Sequence, residues 1–458
     1  MGLRRPTAIH LAALLLALCG GSPSRAADPA TARPARVVAI GIDTLRPDRL
    51  SVYGAARATS PNLERFAAEG VRFDRVFAAS SWTLPSMASV FTSLMPPQHG
   101  VEDRGRRLGA GVPTVAQAFT DAGWLSAGIV THIYVSSRFG LDAGFTDWRE
   151  LAIDPSYREG RQPRADVVVD EALAWLRHHA SERFFLYVHL FDPHWDYAPP
   201  APYDRRFTDP AYAGPADGSY RWLRGFVGGR KPMAPADLAQ VIALYDGEIA
   251  FTDAQLGRLF AGMRELGLWD DSLVAVFADH GEEFQEHGSV HHIRTLYDEV
   301  LHVPLLLKPA GGRTPAMRTV VSERVRLIDV APTLLEVCGV RAPSTFRGES
   351  LVPLLRAPGA DRDVFARTLR HDSDKVAITS GRYKLIHRFT PGRESDELYE
   401  VASDPGERHP LQEDLPEIAA ALRERALAWA AEPSPAARGN VVELTPLQRE
   451  QLQALGYE

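Results

Sequence analysis

Thr83 opens the segment TLPSMASVFTSLMPPQHG, in which Pro85 suits a first helical turn and Ala88, Val90, Phe91 and Leu94 recur with the spacing of a buried helical face. Its hydroxyl therefore stands at or beside a helix N-cap, where unpaired N–H groups and the positive end of the dipole favour loss of a proton and hold an oxyanion. Threonine is equally an ordinary N-cap, so this segment alone does not separate a nucleophile from a cap. Asp279-His280 follows the apolar run from Ser272 to Ala278. An adjacent carboxylate and imidazole hold a divalent cation when a second carboxylate joins them, and Asp43, at the end of the run Val37 to Ile42, is the obvious donor. His194 follows the run Phe184 to Leu190, and His287, His291 and His292 share the loop after Asp279-His280.

These residues need a scaffold that brings strand ends together. The apolar runs at 37–42, 125–130, 184–190, 272–278 and 301–308 have the length of buried strands. Helical periodicity at 61–69, 167–178 and 235–266 falls between them, which is the pattern of an open α/β sheet with its ligand crevice at the carboxyl ends of the strands. Residues 199–231, rich in Pro, Gly, Tyr and Arg, read as a long surface excursion and a candidate lid. After residue 362, short strands at 376–378, 383–386 and 397–399 and a helix at 416–431 suggest a small sheet with no chemistry of its own.

Composition narrows the function. Of 458 residues, 45% are apolar, enough for one large α/β core and an appendage, and the net charge of -7 argues against a nucleic-acid partner. Residues 1–26 have the basic start, short apolar run and small residues of an export signal, so the protein is expected in the bacterial periplasm or secreted, with no membrane span after cleavage. Cys19 offers a lipoprotein alternative that the bulky Leu18 disfavours. Cleavage leaves Cys338 as the only thiol, which excludes an intramolecular disulfide.

The segments IGIDTLRPDRLSVYG, SPNLERFAAEGVRF, the helix after TLPSM, FDPHWDYAPP, FADHGEEFQEHG, TLYDEVLHVPLLL and ELYEVASDPGE, in this order, resemble the sulfatase family of the alkaline phosphatase superfamily. The resemblance implies a doubly wound mixed α/β sheet flanked by helices over residues 27–361 and a smaller C-terminal α+β sheet subdomain over 362–458. It implies one or two metal ions at the strand ends. Asp43, Thr83, Asp279 and His280 then correspond to metal ligands, Thr83 also to the nucleophile, and His194 and His292 to histidines that hold substrate oxygens or protonate the leaving group.

The sequence departs from that pattern at the nucleophile. Sulfatases convert Cys or Ser, within C/S-x-P-x-R, to formylglycine, whereas this chain has Thr83-Leu84-Pro85-Ser86-Met87. Threonine carries one hydrogen on its β-carbon, so its oxidation stops at a ketone. The usual aspartate pair is Asp43-Thr44, and His280 stands where many sulfatases have Asn. An Asp, Asp, His and Thr set suits zinc or manganese better than calcium, and resembles phosphodiesterases and phosphoethanolamine transferases that use an unmodified threonine. The expectation is a metal-dependent hydrolase of sulfuric or phosphoric esters, phosphoesters favoured, acting on a small-molecule, glycan or lipid-headgroup anion. A phosphoethanolamine-type transferase and a degenerate, non-catalytic anion binder are the alternatives.

Overall fold

The computed structural model describes residues 33–151, 163–229, 231–370, 373–390 and 392–432, with residues 2, 441, 442 and 446. The export signal, apart from Gly2, and Cys19 lie outside the described residues. No helix among the described residues is long and apolar enough to cross a membrane.

Eight strands form the main sheet: β1 (Arg36–Ile42), β2 (Val71–Phe77), β3 (Leu125–Val130), β4 (Asp147–Glu150), β5 (Phe184–Leu190), β6 (Ser272–Ala278), β7 (His302–Lys308) and β8 (Val320–Arg326). Their order is β4-β3-β5-β1-β6-β7-β2-β8, parallel except where β7 runs antiparallel to β6 and β2. The apolar runs form the central strands because both faces are covered, so nearly every residue of β1, β5 and β6 is buried. Helices Pro61–Glu69, Ala165–His178 and Pro235–Glu265 pack as one group, and Thr83–Thr92, Val115–Asp121 and Val330–Cys338 as another. The doubly wound mixed sheet expected from the sequence is the observed fold.

A separate antiparallel sheet, ordered β12-β11-β10-β9, follows: β9 (Val364–Arg370), β10 (Ser373–Ser380), β11 (Tyr383–Phe389) and β12 (Ser395–Glu400). Helix Pro416–Ala430 packs on it, burying Leu422, Ala426 and Trp429 against Val376, Ile378 and Leu385. This sheet grips the loop behind β6: Thr368 Oγ1 donates to the Ile293 carbonyl at 2.7 Å and Lys375 Nζ donates to that of Arg294. Buried Lys384 also pairs with Asp298 at 2.6 Å and Glu407 at 2.7 Å.

β4, β8 and β9, which sequence reading did not separate from loops, are edge strands. Their charged sequences DWRE, VVSERVR and VFARTLR lack the continuous apolar run of an interior strand. Helix Val330–Cys338 was also unread, since its nine residues follow β8 with only a one-turn 3₁₀ segment between.

Register positions the chemistry. In the central triplet Ile42 pairs with both Leu190 of β5 and Ala278 of β6, so all three strands stop on one line. Asp43 and Asp279 are therefore the first residues past adjacent strand ends, and the Asp43 N–H donates to the Leu190 carbonyl at 3.0 Å. Thr83 is the first residue of its helix, with Trp82 as the N-cap, one position further in than an N-cap assignment.

His99, just beyond this helix, braces it. The Val101 N–H donates to His99 Nδ1 at 3.0 Å, which leaves the proton on Nε2 to donate to Ser89 Oγ at 3.0 Å. Burial pushes the His99 pKa down to about 3. The unfolded chain, with an ordinary histidine pKa of about 6.5, binds a proton that the native state refuses, so stability rises with pH across this window. Stability relative to a His99→Asn variant is expected to fall by about 1.4 kcal/mol per unit as pH drops from 6 to 4. Urea midpoints of the two proteins across that range test this, and a pH-independent difference would contradict it.

Candidate active site

Four donor atoms converge where β1 and β6 end. His280 Nε2 lies 3.2 Å from Thr83 Oγ1, 3.4 Å from Asp279 Oδ2 and 3.5 Å from Asp43 Oδ1. These separations match the edges of a tetrahedron about 3.3–3.6 Å long, set by metal–ligand bonds of about 2.0–2.2 Å. His280 Nδ1 donates to the Gly281 carbonyl at 2.9 Å, so the Nε2 lone pair faces the other three groups.

All four residues are fully buried. Both Asp43 oxygens and Asp279 Oδ2 lack a well-formed hydrogen bond. Asp279 Oδ1 accepts from the Thr44 and His280 N–H groups, but the three remaining carboxylate oxygens in a dry site are costly unless a cation joins them. Burial first, and then the Asp279 charge, push the Asp43 carboxyl well above its ordinary range. The donor set therefore fits a divalent cation, and Asp43, Asp279 and His280 form a group able to hold one.

Backbone bonds fix the approach of the Thr83 helix. Ser86 Oγ donates to the Asp279 carbonyl at 2.6 Å, and the Ile293 N–H donates to the Ser81 carbonyl at 2.9 Å. Met87, the fifth residue of the Thr83 segment, is fully buried, with its sulfur 3.6 Å from Tyr187 Oη.

Histidines form the opposite wall. The His194 and His292 ring centres are 5.1 Å apart, and those of His292 and His280 are 4.4 Å apart. His194 Nδ1 donates to the Trp195 carbonyl at 3.2 Å, and His292 Nδ1 meets Glu282 Oε1 at 3.2 Å. Burial depresses the His194 pKa to about 3 and, with His291 second, drives that of His292 well below its ordinary value. Both rings are thus neutral at pH 7 before an anion arrives.

Sequence reading missed three contributors. His132, two residues past β3, joins Asp43 and His194 in a further group able to hold a metal, and carried the same strand-end signal as Asp43. His189 lies inside β5, where no pattern marks it, with Nε2 3.5 Å from Asp43 Oδ2 and Nδ1 2.9 Å from Tyr187 Oη. Glu282 looked like one acid of a polar loop but is fully buried against His292. His287 stands apart from this cluster, held by Glu299 at 2.6 Å and stacked on Tyr297 at 3.5 Å. The 199–231 excursion reaches the same loop, where the Gly228 N–H donates to Ser289 Oγ at 2.8 Å.

A buried hydroxyl at a helix N-terminus, beside a cation-ready carboxylate and imidazole set in the crevice of a doubly wound sheet, marks the class of ester hydrolases. The Sulfatase family model matches residues 35–340, and the model described as N-sulphoglucosamine sulphohydrolase, C-terminal, matches residues 285–430. The chain belongs to the sulfatase family and is an ester hydrolase. It is 23% identical to the N-acetylglucosamine-6-O-sulfatase of Bacteroides thetaiotaomicron, over 87% of this chain and 85% of that protein. It is 28% identical to the multifunctional alkaline phosphatase superfamily protein PehA of Trinickia caryophylli, over 57% and 58% of the two chains. Its fold matches the crystal structure of the phosphonate monoester hydrolase of Agrobacterium radiobacter with a TM-score of 0.73, at 23% identity, covering 87% and 96% of the chains.

Proposed function

We propose that this chain hydrolyses phosphoric or phosphonic esters, with unmodified Thr83 as nucleophile, Asp43, Thr83, Asp279 and His280 as ligands of a zinc or manganese ion, and His194 and His292 holding the ester. The observation that carries this reading is Thr83 Oγ1, 3.2 Å from His280 Nε2 in a nucleophile segment whose fifth residue is the buried Met87. A divalent cation bound there supplies Lewis-acid stabilisation of the deprotonated hydroxyl and of the charge on the transferring group.

Thr83 Oγ1 attacks phosphorus in line, forming a phosphothreonine while the bond to the leaving alcohol breaks. With Nδ1 of His194 and His292 occupied by Trp195 and Glu282, each ring offers Nε2 to the ester. An arriving anion favours the protonated imidazole, which holds an ester oxygen and returns its proton to the leaving alkoxide. Water then attacks phosphorus, frees Thr83 and releases phosphate or phosphonate. Sulfatases instead expel sulfate from an aldehyde hydrate, a step that threonine does not permit.

We further infer export from residues 1–26, a catalytic domain over 27–361 and a small-sheet subdomain over 362–458. The three carboxylate oxygens of Asp43 and Asp279 without a hydrogen bond count against a degenerate anion binder, because they are destabilising without the cation that catalysis needs. The test is turnover by metal-loaded protein of 4-nitrophenyl phosphate, bis(4-nitrophenyl) phosphate, a phenylphosphonate monoester and 4-nitrophenyl sulfate. Phosphorus esters are expected to turn over fastest, and turnover of the sulfate alone would overturn the reading.

A further inference from the structure

Beyond the cation at Asp43, we propose that Glu282, His291 and His292 hold a second divalent cation, of the zinc or manganese class. One cation bound by two imidazoles and a carboxylate is a common borderline-metal set.

The backbone makes this juxtaposition against its own preference. Adjacent side chains of an extended segment point to opposite sides, yet His291 Nδ1 and His292 Nδ1 lie 3.9 and 3.2 Å from the same Glu282 Oε1. That convergence coincides with φ of 83° at His291 and 79° at Ile293, left-handed values that are uncommon outside glycine and most costly for the β-branched isoleucine. Surrounding bonds maintain it: the His291 N–H donates to the Glu283 carbonyl at 3.1 Å, and the Ile293 N–H and carbonyl are bonded to Ser81 and Thr368. Such strain persists where the surrounding structure enforces a functional arrangement.

The 3.2 Å contact is a hydrogen bond between His292 Nδ1 and Glu282 Oε1, and the 3.9 Å contact of His291 Nδ1 with the same oxygen is longer than one, so the two separations bracket the about 3.3–3.6 Å of ligand atoms that share one metal. All three side chains are buried, and their donor atoms lie within 4.8 Å of one another. Tyr197 Oη donates to Glu282 Oε2 at 3.0 Å and orients the carboxylate, as partners of metal ligands do.

This arrangement serves the ester as well. A cation on His292 Nδ1 would leave the ring's one proton on Nε2, so His292 would donate to an ester oxygen as a neutral ring and the imidazolium that returns a proton would be His194 alone. The inference is independent of which ester is cleaved.

The experiment counts metal directly. Protein stripped with a chelator and reloaded with zinc is desalted and analysed by inductively coupled plasma mass spectrometry. Two equivalents per chain are expected for the wild type, one for Glu282→Gln, one for His291→Gln and one for Asp43→Asn. Adding Glu282→Gln to Asp43→Asn is expected to remove the last. Circular dichroism selects the variants that fold, and zinc-edge anomalous scattering from wild-type crystals gives a count that needs no variant. A wild-type equivalent that Asp43→Asn removes and that Glu282→Gln and His291→Gln both keep, or two surviving in both Glu282→Gln and His291→Gln, overturns the proposal. A single wild-type equivalent that Glu282→Gln and His291→Gln remove and Asp43→Asn keeps would instead affect only the catalytic reading.

Discussion

Thr83→Ala is expected to abolish hydrolysis, lowering kcat by at least about 10³-fold, as removal of a nucleophile does elsewhere. The fold survives. Thr83 is the first residue of its helix and not the cap, and its buried hydrogen bond to His280 contributes about 0.5–1.5 kcal/mol. Thr83→Ser keeps the hydroxyl and should keep measurable turnover of phosphorus esters. Intact mass of the mature wild-type protein should show no modification at this position, whichever host expresses it. Full activity in Thr83→Ala would transfer the nucleophile's role to water and end the covalent mechanism.

Asp43→Asn and Asp279→Asn are each expected to lose the cation at His280, with turnover falling below detection. A thermal measurement provides a sharper sign. The two carboxylates are buried together, and Asp43 is held well above its ordinary pKa by burial and by Asp279. Without metal, removing one charge relieves that repulsion, so Asp43→Asn should melt at a higher temperature than the wild type in chelator. With saturating metal the order should reverse, since a ligand at 1,000 times its Kd stabilises only the wild-type site by about 4 kcal/mol. The same melting order in both conditions would show that the carboxylates are not a cation site.

The strand-end residues were legible for a simple reason. Parallel strands buried on both faces leave apolar runs that stop abruptly, and Asp43 and Asp279 are the first charges after two of them. The shared register that makes them neighbours is tertiary, and only their common role in one site suggested it. His189 was illegible because a histidine inside a buried strand breaks no alternation that such a strand displays. His291 was set aside with its loop, since a left-handed backbone at a non-glycine residue has no sequence signature. The edge strands escaped for the opposite reason, being too polar to look like strands.

The grip of the C-terminal sheet on the histidine loop has a consequence in time. The cradle of β1, the Thr83 helix and β6 is complete in the chain by residue 280, but the carbonyls of Ile293 and Arg294 are bound by side chains of Thr368 and Lys375. Those partners leave the ribosome some ninety residues later than the cradle, at about 5–20 residues per second. A nascent chain thus holds Thr83 in a site whose opposite wall is not yet braced, and the bracing is complete only once residues 368–375 have emerged.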